Sequence, residues 1–178
     1  MIEFRGFNPE ATDTLVKALG DKITVQKSPW TCNLTVTLNT EKKPFDDVRV
    51  RRALSLAIDR YEANRVLSKI SLMGPVGGVL RPGAEFSATE EELSKLIGFS
   101  KDIDASRKEA VRLLKEAGVP DGFAFTLTNR NIPEPYEPTG IFVIDQWRKV
   151  GLNVKQNAAP TYQNDLRAGN FEAGIDFA

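Results

Sequence analysis

The sequence predicts an α/β fold in which a mixed sheet carries helices on both faces, and three observations lead there. Between residues 123 and 177, three short runs of alternating apolar residues are separated by two helix-like stretches, the pattern of a βαβαβ unit. Ahead of it, two longer stretches repeat apolar residues at spacings of three and four, which puts them on one face of a helix. Earlier still, residues 22–38 alternate with period two, which adds extended segments outside the βαβαβ series.

The elements follow in chain order. Pro9 to Leu19 predicts a helix with Asn8 as cap, Pro9 in its first turn, Ala11, Leu15, Ala18 and Leu19 on one face, and Gly20 as its stop. Lys22 to Lys27 predicts a strand, with Ile23 and Val25 on one side. Ser28-Pro29 makes a bend, and Cys32 to Leu38 a second strand that alternates Leu34, Val36 and Leu38 with Thr35 and Thr37. Val48 to Tyr61 predicts one continuous helix, because Val50, Ala53, Leu54, Ala57, Ile58 and Tyr61 form a single stripe, with Asp46 positioned to cap it. Gly74 to Gly83 is a loop.

A further helix is predicted from Ala105 to Ala117, capped by Asp104, with Ala110, Val111, Leu114 and Ala117 turned inward and Gly118 then Pro120 ending it. The closing series reads strand Phe123 to Thr128, helix Thr139 to Val150, strand Leu152 to Gln156, helix Thr161 to Ala168 and strand Phe171 to Phe177. Right-handed crossovers make those three strands parallel neighbours. The chain divides accordingly into residues 1–40 (a helix and strands leading in), 41–122 (mainly helical) and 123–178 (the βαβαβ unit).

Composition excludes several functions. The 178 residues contain 24 Lys plus Arg against 24 Asp plus Glu, so no net field favours nucleic acid or an anionic membrane. There is no histidine, which removes the HExxH zinc site and every nucleophile paired with histidine. The one cysteine, Cys32, cannot form an internal disulfide or anchor a zinc cluster, and reads as a small buried apolar residue. Met1 to Phe7 lacks the regions of a secretory signal, and no run reaches 18 apolar residues; the compartment stays open, since a signal can be removed. Gly74-Pro75-Val76-Gly77-Gly78 lacks the spacing of a phosphate loop, and Asp145 and Glu172 are not paired by the pattern in one cleft. No cofactor is called for.

The run Asn39-Thr40, then Pro44-Phe45-Asp46-Asp47-Val48-Arg49-Val50-Arg51, then Ala53-Leu54-Ser55-Leu56-Ala57-Ile58-Asp59-Arg60, closely resembles the signature of the family 5 extracellular solute-binding proteins. Arg107 to Gly122, Asp145 to Val154 and Leu166 to Glu172 are similar to that family's later helix and strand passages, in the same order. The family serves ABC importers of peptides and nickel. The resemblance implies a periplasmic-binding-protein-like lobe II, with lobe I and the C-terminal return absent. It also implies a periplasmic location, or a lipid anchor outside the cell, for the intact protein. Its partners would be a peptide or other small solute and the permease subunits, with no nucleic acid and with the membrane reached only through the permease.

Ligand candidates lie where open α/β sheets collect them, beyond the carboxyl ends of the strands. Thr128, Asn129 and Arg130 occupy that place after the strand from Phe123. Arg130 can pair a carboxylate bidentately. The resemblance turns the Asn129 position toward the interlobe cleft, while the alternative reads 129–134 as a polar loop beside Pro133 and Pro135. Tyr162 is a further ligand candidate, with helix packing as its alternative.

Two departures bear on the ligand. Family members often place Glu-Trp a few residues before the Tyr162 position, where this chain has Ala158-Ala159, so an aromatic wall is lacking and a different or larger solute is indicated. The aspartate with which peptide-binding members grip the ligand's amino terminus would lie past Ala178. The motif at Asp46 to Arg60 itself reads as scaffold rather than site. The expectation is a non-catalytic receptor lobe that by itself binds its solute weakly or not at all. A small α/β enzyme using carboxylate or lysine chemistry is the alternative, and a cytoplasmic interaction domain built on the same lobe a third.

Overall fold

The computed structural model describes residues 9–26, 33–69 and 74–177. Among these described residues the sheet has four strands in the order β1-β4-β2-β3, with β1 at Leu34–Leu38, β2 at Ala124–Arg130, β3 at Asn153–Ala159 and β4 at Ala173–Phe177. The central strand β2 runs parallel to β3 on one side and to β4 on the other, as the βαβαβ reading expects. Strand β1 pairs antiparallel with β4, Leu34 opposite Phe177 and Leu38 opposite Ala173, and this makes the sheet mixed.

The two faces of the sheet are covered unequally. Phe125 and Leu127 of β2, with Ala173 and Ile175 of β4, form the buried face, and helices α2 (Val48–Ala57), α5 (Ile103–Glu116) and α6 (Tyr136–Arg148) build the core over it. An aromatic chain runs through this core, Phe45 to Phe125 at 5.2 Å and Phe125 to Trp147 at 5.3 Å between ring centroids. On the opposite face, α7 (Tyr162–Arg167) lies so close that a Cβ on Gly174 would meet Leu166 Cδ1 at 3.4 Å and the Tyr162 hydroxyl at 3.6 Å.

Helix α2 shows how local chemistry sets a boundary. Asp47, not Asp46, caps it: Oδ1 accepts the Arg49 backbone N–H at 2.8 Å, and the Arg49 guanidinium closes on the same carboxylate at 2.6 Å. These bonds, the guanidinium first, hold the Asp47 carboxyl down at about 2. Val50, Ala53, Leu54 and Ala57 are buried, as the apolar stripe predicts.

The helix does not continue to Tyr61. It stops at Ala57, Ile58 turns extended, and α3 (Arg60–Leu67) starts afresh with Asp59 accepting the Glu62 N–H at 2.9 Å. The cause is tertiary: carbonyls that a longer helix would use internally are taken by side chains, Leu54 O by the Trp147 indole N–H at 3.0 Å and Ser55 O by Arg60 Nη1 at 3.1 Å. The Asp59 N–H is turned to Gln146 Oε1 at 3.3 Å, and that oxygen also accepts from Arg107 Nη2 at 2.7 Å.

Other expectations are corrected in the same way. No strand forms over Ile23–Gln26: residues 20–22 make a 3-10 turn, no described strand pairs with residues 23–26, and Val25 stays exposed. Helix α1 (Pro9–Leu19) buries Thr12 and leaves Leu15 and Leu19 exposed. Asp102 rather than Asp104 caps α5, and Val111 faces outward.

A short α4 (Glu90–Ser94) adds to the expected elements; Thr89 and Glu92 close a capping box around its start. Helix α6 starts at Tyr136, with Pro138 tolerated in the first turn, where no intrahelical N–H is required. Strand β4 starts only at Ala173, and the Glu172 carboxylate accepts the Thr126 N–H at 2.8 Å where the ladder has not yet begun. Asn8 as cap, the Ser28-Pro29 bend and the environment of Cys32 lie outside the described residues.

Candidate functional site

The chain leaves β2 by α6 onto one face of the sheet and leaves β3 by α7 onto the other, so the connections diverge beyond the carboxyl ends of two adjacent parallel strands. Open α/β sheets form their ligand crevice at such a switch point. A depression of about 90 Å³ lies there, lined by Arg130, Asn131, Ile132, Pro133, Glu137 and Ala158. A larger, open hollow of about 470 Å³ lies between α5 and the far end of α6, among Asp104, Arg107, Lys108, Val111 and Lys149. It lies at the end of α6 that leads into β3, away from the carboxyl ends of the strands, and the topology favours the smaller one.

Strand β2 extends through Arg130, two residues further than its sequence pattern suggests, so Thr128, Asn129 and Arg130 are ladder residues rather than a loop. Thr128 is buried under α7 beside Gly174. Asn129 is wholly buried: Nδ2 donates to Tyr136 O at 2.6 Å and Oδ1 accepts the Arg130 N–H at 2.9 Å, which ties the end of β2 to the first turn of α6.

Arg130 keeps 29% of its side chain exposed. Its Nη2 donates to Asp176 Oδ1 at 2.7 Å, and its guanidinium carbon lies 4.9 Å from the Tyr136 ring centre and 5.5 Å from that of Tyr162. Its Nε is buried and makes no hydrogen bond. Tyr162 is 2% exposed, and its hydroxyl donates to Ile175 O at 2.5 Å. Burial, reinforced by the nearby Asp176 charge, pushes its phenol up to about 12.

The structure therefore brings three of the four sequence-proposed residues, Thr128, Arg130 and Tyr162, into one cluster around β2, β4 and α7, with Asn129 holding the opposite face. Arg130 is the one among them with a charged group that solvent reaches. Sequence reasoning missed Asp176 and Tyr136. Asp176 follows from register, which the sequence does not carry: Thr128 lies opposite Gly174 on parallel strands, so the residues two further along each strand, Arg130 and Asp176, share a face.

Gly140 sets how closely α6 can approach this cluster. A Cβ there would run into the Gln156 side-chain oxygen and would lie 2.8 Å from Asn129 Nδ2, which Tyr136 already holds in place. Gly140→Val is expected to destabilise the chain by about 3 kcal/mol through overpacking. Gly140→Ala should cost less, since its better helix propensity returns roughly 1 kcal/mol. Urea unfolding checks both, and a Gly140→Val variant as stable as the parent would show that α6 has slack against the sheet.

Comparison with known proteins places this geometry. Residues 4–176 match the profile described as "Bacterial extracellular solute-binding proteins, family 5 Middle". The chain is 30% identical over 180 residues to the periplasmic oligopeptide-binding protein OppA of Haemophilus influenzae, covering 94% of this chain and 31% of that protein. It is 28% identical over 154 residues to the glutathione-binding protein GsiB of Salmonella choleraesuis, covering 83% and 27%.

Among solved structures, it superposes on Haemophilus influenzae OppA in complex with the peptide RPPGFSPFR, with a TM-score of 0.74 and 25% identity over 96% of this chain and 33% of that one. The Escherichia coli murein tripeptide binding protein MppA shares the fold, with a TM-score of 0.75 at 22% identity over 97% of this chain and 33% of that one. The chain thus spans about a third of the length of the relatives it matches.

Proposed function

This chain belongs to family 5 of the bacterial extracellular solute-binding proteins, and from that premise we propose that it forms the ligand-facing part of a receptor for an ABC importer. Solute would bind in a cleft between this unit and a second lobe, and closure of the cleft would present the complex to the membrane permease. The relatives' names speak of peptides and glutathione, which supports a peptide or similar small solute. The periplasmic setting of OppA supports the same location here, or a lipid-anchored one outside the cell. Among the described residues, no helix is long and apolar enough to cross a membrane.

The observation that carries this reading is Arg130, a partly exposed guanidinium fixed at the switch-point crevice, where it can accept a carboxylate from the solute. Thr128 and Tyr162 support it from the α7 face, and Asn129 anchors the strand end that carries it. The reading as a small α/β enzyme has less support, since the named relatives are binding proteins and no acid-base pair faces the crevice among the residues that line it.

A thermal-shift screen of the full-length protein across short peptides, sugars and metal chelates tests the proposal. A true ligand at 100 times its Kd should stabilise the folded state by about 2.7 kcal/mol. Peptides with a free carboxyl terminus are expected to raise Tm, and Arg130→Ala should remove most of that rise without lowering the unliganded Tm comparably. Stabilisation by sugars or chelates but by no peptide would reject the peptide assignment, and an unchanged rise in Arg130→Ala would take the carboxylate role from Arg130.

A further inference from the structure

The larger hollow, at the other end of α6 from the crevice, has a charge character of its own. Arg107, Lys108 and Lys149 line it against a single carboxylate, Asp104, and Val111, 47% exposed, completes the lining. The chain as a whole balances 24 cations against 24 anions, so this excess is local. Among the described residues, Arg107 and Lys108 have no carboxylate partner. Lys149 has one in Asp145, 2.7 Å away, with 41% and 55% of the two side chains exposed. An exposed pair of that kind contributes at most about 1 kcal/mol, so an incoming carboxylate can replace Asp145 at little cost.

Arg107 is the fixed member of the group. Its Nη2 donates to Gln146 Oε1 at 2.7 Å; Gln146 is fully buried, and the same oxygen accepts the Asp59 N–H at 3.3 Å. On the same guanidinium, Nε is buried and makes no hydrogen bond. The group is thus anchored by a neutral partner, with its charge uncompensated and part of its donor set unused.

We propose that this hollow is a docking surface for an acidic segment of a partner protein, one that carries several Asp or Glu side chains around an apolar residue. At about 470 Å³ its volume would also suit a small molecule, but small-molecule sites are concave and lined mostly by apolar groups, whereas four of these five lining residues are charged. An open cationic face with one exposed valine has the make-up of a contact surface instead. Its field steers carboxylates toward it and disfavours basic partners. Arg107 is already ordered, so little side-chain entropy is lost when a carboxylate reaches it, and the two lysines close in from the rim. The location leaves the crevice free. Helix α6 has 13 residues and is about 20 Å long, and it separates the hollow at Lys149 from the crevice near Tyr136. Docking here is therefore independent of what the crevice binds.

The test uses the full-length protein and the peptide Asp-Glu-Leu-Glu-Asp, acetylated and amidated so that neither terminus is charged and labelled with a neutral dye. Lys-Lys-Leu-Lys-Lys, blocked and labelled in the same way, is its counterpart, and binding is read by fluorescence anisotropy at low ionic strength, where screening is weakest. The acidic peptide is expected to bind at least tenfold more tightly than the basic one, and to weaken as salt rises. Lys108→Glu combined with Lys149→Glu should weaken it by about tenfold or more with the unfolding midpoint little changed, since both lysines are exposed. Asp104→Asn, which removes the one opposing charge of the lining, should tighten it about two- to threefold. Carbodiimide coupling joins a docked carboxylate to a lysine amine, and peptide mapping should find that link at Lys108 or Lys149. No binding of the acidic peptide, equal binding of the two peptides, an affinity that the double variant leaves unchanged, or a link confined to other lysines overturns the proposal.

Discussion

Trp147→Ala is expected to destabilise the chain by about 3–5 kcal/mol, a large part of the stability of an ordinary domain. The indole is completely buried, packs against Phe125, and donates its N–H to Leu54 O at 3.0 Å, so truncation opens a cavity and leaves a carbonyl unpaired at the end of α2. Trp147→Phe keeps most of the volume and separates the two losses; a cost of about 1–2 kcal/mol is expected from the missing hydrogen bond and the smaller ring. Urea unfolding followed by far-ultraviolet circular dichroism reads both variants. A loss below about 1 kcal/mol for Trp147→Ala would mean that α6 is not the pillar of this core.

Arg60→Met should cost about 2–4 kcal/mol, although Arg60 carries charge in a position where charge is unwelcome. Burial pulls its pKa below the ordinary arginine value, yet the guanidinium serves three carbonyls, Ser55 O at 3.1 Å, Ile58 O at 3.5 Å and Gly98 O at 2.5 Å, and lies 4.6 Å from the Phe99 ring centre. A methionine fills similar space and bonds to none of these. Arg60→Lys retains the charge but not the planar fork, so it is expected to recover only part of the loss. Thermal and urea unfolding of the three proteins decide the order, and a methionine variant that matches wild type would assign the site to packing alone.

Those two residues also mark where the sequence stopped being legible. Period-3.6 patterning located α2 and α5, and alternation located the four strands, because each of these elements buries a face that its own residues define. The break at Ile58 could not be read that way: Ile58 and Tyr61 continue the apolar stripe, and the carbonyls that end α2 are claimed by Trp147, far along the chain, and by Arg60. The start of helix α4 is legible in the sequence, since Thr89 followed by Glu92 three residues later is the spacing of a capping box.

For the site, position along the strand pointed to Arg130, but its environment depends on strand order. Only when β4 lies beside β2 does Asp176 come level with Arg130, and only when α7 crosses the opposite face does Tyr162 reach the same guanidinium. Nothing within ten residues of Arg130 in the sequence announces either.

The antiparallel pairing of β1 with β4 has a mechanical consequence. Leu34 and Phe177 face each other at the same end of the two strands, so tension applied to the polypeptide through these positions pulls across the ladder rather than along it. Load then falls on one rung at a time, from Leu34 with Phe177 toward Leu38 with Ala173, and the pair peels open at low force instead of resisting as a shear joint.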